Sequence, residues 1–141
     1  EYALLTAQRR HEPVSLAFVD LDRFKHINDT WGHEEGDRAL IAIADLMKAA
    51  FRESDILARQ GGDEFIILFA NTSRHDAATA METLSHNVAR FNQQAANPWQ
   101  LAFSWGCVEY DPASHPSLNA LVATADRLMY QAKQKQGRER R

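Results

Sequence analysis

A single cysteine, few prolines and no long apolar run each remove a class of protein. Cys107 cannot close an internal disulfide, so a disulfide-stapled secreted scaffold is excluded and a reducing, cytoplasmic setting is expected. Within a strand-like segment it reads as a small hydrophobe rather than a reactive thiol. No apolar run is longer than Phe65–Ala70, far short of the roughly 20 residues of a membrane-spanning helix, so this domain is expected to make no membrane contact. Excess positive charge is missing too. Sixteen Lys and Arg against nineteen Asp and Glu give a net charge of −3, which argues against nucleic acid as the partner. Neither a phosphate-binding glycine loop of the P-loop or dinucleotide type nor a signal-peptide pattern is present. The chain also opens without an initiator methionine, and a piece of a longer protein is the expectation.

What remains is ordinary for a globular protein: 45% hydrophobic and 25% charged residues, with 1–141 reading as one domain. The segment 14–21, VSLAFVDL, follows Pro13 and reads as a strand. Asn28, Asp29 and Gly32 suggest a polar turn. Leu40, Ile43, Ala44, Met47, Ala50 and Phe51 then recur at helical period. Residues 56–60 and 64–69 read as two strands joined by Gly61-Gly62. A second helix carries Ala77, Ala80, Met81, Leu84 and Val88 on one face. Asn97-Pro98 breaks the chain before a long strand over 99–110. Ser117 has the chemistry of an N-cap for a last helix with Leu118, Leu121, Val122, Ala125, Leu128, Met129 and Ala132 in a stripe. A polar, basic tail follows over 131–141. Such stripes build core rather than cofactor sites. A hairpin inside the series disfavours a doubly wound nucleotide fold. An α+β fold is expected, with helices packed on a mixed, partly antiparallel sheet.

The stretch RQGGDEFIILF (59–69) sets two acids at the mouth of a buried strand. Gly-Gly before an acid is common in tight turns, where glycine accepts positive φ. The first strand, however, also ends in acids, Asp20-Leu21-Asp22. If it lies antiparallel to residues 64–69, Asp20 meets Asp63 and Glu64. Carboxylates that converge raise one another's pKa unless a cation lies between them. Hard oxygen ligands suit Mg²⁺, which takes one or two carboxylates and completes its shell with water and substrate phosphate. The combination points to metal-assisted phosphoryl or nucleotidyl chemistry. Phosphates would rest on backbone N–H groups after the first strand, helped by Lys25 and Lys133, although either lysine can equally be solvated surface. In INDTWGHEEGDRAL, Asn28, His33 and Asp37 fit a turn and helix start. An Asn amide with an Asp carboxylate also suits guanine, whose N1–H and N2 amino group the carboxylate can accept.

With those residues in place, the sequence resembles the diguanylate cyclases of the GGDEF family. The likeness rests on FVDLDRFKHINDTWGHEEGDRAL (18–40), RESDILARQGGDEF (52–65), FSWGCVEY (103–110) and ADRLMYQAK (125–133), in the family's order and spacing over nearly the whole chain. It implies a fold like the palm of class III nucleotidyl cyclases and some polymerases. It also implies condensation of two GTP molecules, one per protomer of a homodimer, into cyclic di-GMP with release of two pyrophosphates. By the same resemblance, Asp20, Asp63 and the Leu21 carbonyl hold Mg²⁺, with Mn²⁺ as an alternative. Asp63 assists deprotonation of the ribose 3′-hydroxyl, and Glu64 stands at the metal or triphosphate. Asn28 and Asp37 read guanine with His33 nearby. Phe24 and Lys25 line the phosphate turn, and Gly61 and Gly62 admit substrate to the hairpin. Arg52 and Asp55 match an RxxD site that binds cyclic di-GMP as feedback inhibitor; a plain salt bridge is the bland alternative.

The chain departs from the family pattern in three places, one of them a Lys133-to-Gly137 spacing one residue longer than usual. Before the first strand only Gln8-Arg9-Arg10 remains of the upstream block, and no basic residue other than histidine lies between His75 and Ala89, where some members place an inhibitory-site arginine. Besides the enzyme, the sequence leaves a degenerate receptor for GTP or cyclic di-GMP, and a GTP-binding scaffold for an adjacent phosphodiesterase domain. Intact Asp20, Asn28, Asp37 and residues 61–65 favour the enzyme.

Overall fold

The computed structural model describes residues 2–139, so the last residues of the basic tail lie outside the described part. In chain order the elements are α1 (Tyr2–Arg10), β1 (Ser15–Leu21), α2 (Phe24–Trp31), α3 (His33–Ala50), β2 (Ile56–Arg59), β3 (Glu64–Phe69), α4 (Arg74–Gln94), β4 (Phe103–Glu109) and α5 (Leu118–Glu139). The four strands lie in the order β2-β3-β1-β4 and every pairing is antiparallel, further than the partly antiparallel sheet expected from the hairpin. The α+β class holds.

β1 is central, and its alternation divides the molecule in two. Ala17, Val19 and Leu21 point into a core built with Ile43 and Met47 of α3 and Met81 and Leu84 of α4. Leu16 and Phe18 point to the opposite face, against Leu4 and Ala7 of α1 and Leu121, Ala125 and Met129 of α5. With both faces covered, β1 can be apolar along nearly its whole length until Asp20. Each fully buried side chain such as Leu16 or Ile67 contributes about 1.5–3 kcal/mol.

Two expectations are corrected and one helix is added. Asn28 and Asp29 lie inside α2 rather than in a turn, and the change of direction falls on Gly32 alone, whose φ of 94° a side chain would strain. The strand expected over 99–110 narrows to Phe103–Glu109, because Leu101 bonds the Asn92 side chain instead of a neighbouring strand. Nine residues before β1 form α1, whose Leu4 and Ala7 are too short a stripe to stand out in sequence. Two helix starts carry side-chain caps, the second at the Ser117 read from sequence. The Ser73 hydroxyl accepts from the Asp76 N–H at 3.2 Å, and the Ser117 hydroxyl from the Ala120 N–H at 3.2 Å. Among the described residues no helix is long and apolar enough to cross a membrane.

α5 lies almost flush on β4 because of Gly106. A Cβ there would sit 2.5 Å from the Ala125 carbonyl oxygen and 2.7 Å from the Leu128 carbonyl carbon, both helix backbone. Gly106→Ala should therefore lift α5 and lower the unfolding free energy by about 1–3 kcal/mol, read from urea denaturation. A loss within error would mean that α5 slides freely on the sheet.

Candidate active site

The ladder between β1 and β3 sets Asp20 opposite Glu64, and the Leu21 N–H donates to the Asp63 carbonyl at 3.1 Å. The antiparallel pairing that the sequence left as a supposition is the one observed, and it gathers Asp20, Leu21, Asp63 and Glu64 at one rim of the sheet. Asp20 continues the Leu16–Phe18 face, so it looks toward α5. There the Lys133 ammonium donates to Asp20 Oδ2 at 2.7 Å and lies 3.8 Å from Asp22 Oδ1. The other oxygen, Asp20 Oδ1, is buried and has no hydrogen-bond partner.

Burial pushes the Asp63 carboxyl above its ordinary value, and the charge of Asp20 beside it adds to the shift. Glu64 is raised in the same way, by burial first and then by Asp20, Asp63 and Asp126. For Lys133, burial works to lower the pKa, but the hydrogen bond to Asp20 and the charges of Asp20, Asp22 and Asp63 outweigh it and leave the ammonium raised. The rim thus holds more negative charge than one lysine relieves.

A divalent cation fits this arrangement. Asp20 Oδ1 is a buried acceptor without a donor, and Asp63 beside it is raised by burial first and then by the charge of Asp20. Among the described residues no group of three or more His, Cys, Asp or Glu side chains forms a ready-made metal cage. Two carboxylates that leave room for water and phosphate are the pattern of Mg²⁺ rather than of a closed protein cage.

The turn after β1 supplies the second half of the site. Arg23 adopts left-handed backbone angles (φ 59°, ψ 28°), a conformation that costs a non-glycine residue about 1–2 kcal/mol, and α2 starts there without a side-chain cap. An uncapped helix start directs its first N–H groups outward, as an anion requires. Lys25 is exposed at this start, whereas Phe24 leans on the core. Asn28 rests on Gly36, where any Cβ would overlap the Asn28 amide oxygen. That seat places Asn28 beside the turn of α3 carrying Asp37, with Asp37 and His33 both exposed.

The hairpin glycines act differently from expectation. Among the described residues the glycine with positive φ is Gly32, so Gly61 and Gly62 do not serve a left-handed turn. A Cβ on Gly61 would lie 3.3 Å from Glu64 Oε2, so Gly61 makes room for the Glu64 side chain; Gly62 faces open space. Arg59, which the sequence did not single out, ties the turn down. Its Nε donates to the Gly61 carbonyl at 3.0 Å and its Nη2 to the Gly62 carbonyl at 2.5 Å.

Asp22 and Ser104 were also missed. The Ser104 hydroxyl donates to Asp22 Oδ1 at 2.8 Å, and the Asp22 N–H donates to the Ala102 carbonyl at 2.8 Å. The two residues hold the end of β1 in place beneath Lys133. Asp-x-Asp spacing was the available signal for Asp22. Nothing in sequence tied Ser104 to it.

Arg52 and Asp55 lie apart from this rim. Asp55 accepts from the Arg52 backbone N–H at 2.9 Å and stands 3.5 Å from its guanidinium, which also donates to the Ala70 carbonyl at 2.7 Å and the Thr72 hydroxyl at 2.6 Å. The Arg52 side chain is 58% exposed and Asp55 only 4%. Both border two shallow cavities of about 200 and 260 Å³.

A family model for the diguanylate cyclase GGDEF domain matches residues 1–140. This chain belongs to the GGDEF family. The diguanylate cyclase DosC of Escherichia coli K12 is 36% identical to it over 134 residues, covering 95% of this chain and 29% of DosC. This GGDEF domain therefore spans under a third of that relative. A Pseudomonas aeruginosa YfiN structure comprising only the GGDEF domain superposes with a TM-score of 0.85 at 35% identity, covering 95% of this chain and 78% of that one. The GGDEF domain of DgcB from Caulobacter crescentus, solved in complex with c-di-GMP, gives 0.85 at 28% identity, covering 95% and 80%.

The sign of the Asp63 shift gives a test. A carboxyl raised by folding favours the native state while protonated, and that stability is lost as pH rises through the raised value. Asp63→Asn should therefore melt higher than the parent at neutral pH without divalent cation. The gap should close as pH falls below about 3.9, the ordinary Asp value. Equal melting temperatures at neutral pH would contradict a strained carboxylate pair.

Proposed function

We propose that this domain is a diguanylate cyclase that condenses two GTP molecules into cyclic di-GMP, acting as the cytoplasmic output domain of a longer signalling protein. The observation that carries the reading is the β1–β3 register, which sets Asp20 and Glu64 opposite each other with Asp63 adjoining and leaves Asp20 Oδ1 without a partner.

In this reading Asp20, Asp63 and the Leu21 carbonyl hold Mg²⁺, with Mn²⁺ able to replace it. Held there, the ion would neutralise triphosphate charge and lower the pKa of the ribose 3′-hydroxyl. Asn28 and Asp37 orient the guanine, with His33 at its edge. The uncapped start of α2, with Phe24 and Lys25, receives the phosphates, and Lys133 reaches them from α5. Asp63, adjoining Asp20 at the rim, takes the proton of the attacking 3′-hydroxyl. Glu64, folded over Gly61, keeps the hairpin negative at the metal and triphosphate side. The open space at Gly62 lets the sugar of a second nucleotide approach.

Each protomer supplies one nucleotide site, and a ring of two nucleotides needs two 3′-hydroxyls facing two α-phosphates, so a homodimer is the acting species. Feedback falls to Arg52 and Asp55. Arg52 presents an exposed guanidinium to phosphate or guanine of cyclic di-GMP, while the nearly buried Asp55 steadies it.

Incubation of the domain at high concentration with GTP and Mg²⁺ should yield cyclic di-GMP by mass spectrometry, and Asp63→Asn should yield none. GTP or cyclic di-GMP binding without turnover would favour the receptor reading instead. Arg52→Ala should raise the half-inhibitory concentration of cyclic di-GMP by roughly ten- to a hundredfold, the loss of a charge-assisted contact, with little change in maximal rate. An unchanged inhibition curve would remove the RxxD assignment.

A further inference from the structure

Among the described residues Lys133 is the cation that meets the carboxylates of the rim. It is not a loose surface lysine. The turns of α5 before it seat Ala125 and Met129 against Gly106, and the following turn brings Gln136 Oε1 within 3.2 Å of the Ser104 hydroxyl. Ser104 in turn fixes Asp22, the second carboxylate facing the ammonium. The lysine is thus anchored on both sides along its helix, and its reach to Asp20 is built into the fold.

The two oxygens of Asp20 divide between separate tasks. Oδ2 takes the ammonium at 2.7 Å, and Oδ1 remains buried and unpartnered. A dication at Oδ1 would share one carboxylate with the ammonium, so the two positive charges repel across that group at close range and low solvent exposure. Asp20 is 14% exposed at its side chain, which leaves water little room to screen them.

We propose that Lys133 is a built-in competitor of the divalent cation, one that neutralises Asp20 in the nucleotide-free domain and holds its cation affinity down. The inference rests on the metal reading of Asp20 and Asp63 given above. Competition of this kind is reciprocal: whatever draws Lys133 away from Asp20, such as phosphate oxygens, improves the site for the cation by the same factor.

The test is titration of the nucleotide-free 141-residue domain with Mn²⁺, followed by electron paramagnetic resonance, with thermal melts to verify folding. Lys133→Met should bind Mn²⁺ more tightly than the parent by roughly fivefold or more, the lower end of ordinary coupling between sites. Lys133→Arg keeps the charge and should stay weak. Lys133→Met should also melt lower without cation and gain more in melting temperature from Mn²⁺ than the parent does. If Lys133→Met binds Mn²⁺ no better than the parent while Asp63→Asn loses binding, the competition is refuted and the metal site stands. If Asp20→Asn and Asp63→Asn both bind Mn²⁺ as the parent does, the metal reading and the competition fall together. Should Lys133→Met prove unfolded, tight binding by Lys133→Arg would overturn the proposal by itself.

Discussion

Asp20 stands opposite Glu64 in the β1–β3 ladder, and a slip of one residue would carry Asp20 to the other face of the sheet. The rim chemistry depends on that register. It is pinned by alternation: Ala17, Val19 and Leu21 fill one core while Leu16 and Phe18 fill the other, so a one-residue slip would exchange the two sets. Hydrophobic packing along the strand thereby decides where a carboxylate stands at its end. Asp20 carries its cost because Lys133 reaches it from a helix seated on Gly106.

The electrostatics of the rim follow from incomplete compensation. One ammonium faces Asp20 and Asp22, with Asp63 and Glu64 close enough for each to be raised by burial and by its neighbours. A core salt bridge would be balanced. This cluster is left short of positive charge, a state that suits a site meant to receive a cation and a polyanion together.

Much of this was legible in the sequence because it depends on period and punctuation. The stripes of α3, α4 and α5 and the cap at Ser117 are local patterns. The meeting of Asp20 with Asp63 and Glu64 followed once the two strands were supposed to pair antiparallel. What stayed hidden is long-range or depends on backbone angles. Ser104 bonds Asp22 across 82 residues, and Arg59 bonds carbonyls, which no side-chain pattern advertises. Asn28 and Asp29 resemble turn residues, yet the packing of Asn28 on Gly36 keeps them helical. The glycines of the hairpin suggest positive φ, and their use is space instead.

The placement of β1 has a consequence for how the chain comes into being. Its two neighbours come from far downstream: Ser15 pairs with Phe69 on one side and with Glu109 on the other. Until the chain has been synthesised through β4, one row of peptide groups on the central strand has no partner, and its apolar faces have only part of their cover. Contacts so distant in sequence close late and slowly. No prefix of this domain contains a finished rim, so a nascent or truncated chain carries the acids without the fold that gathers them.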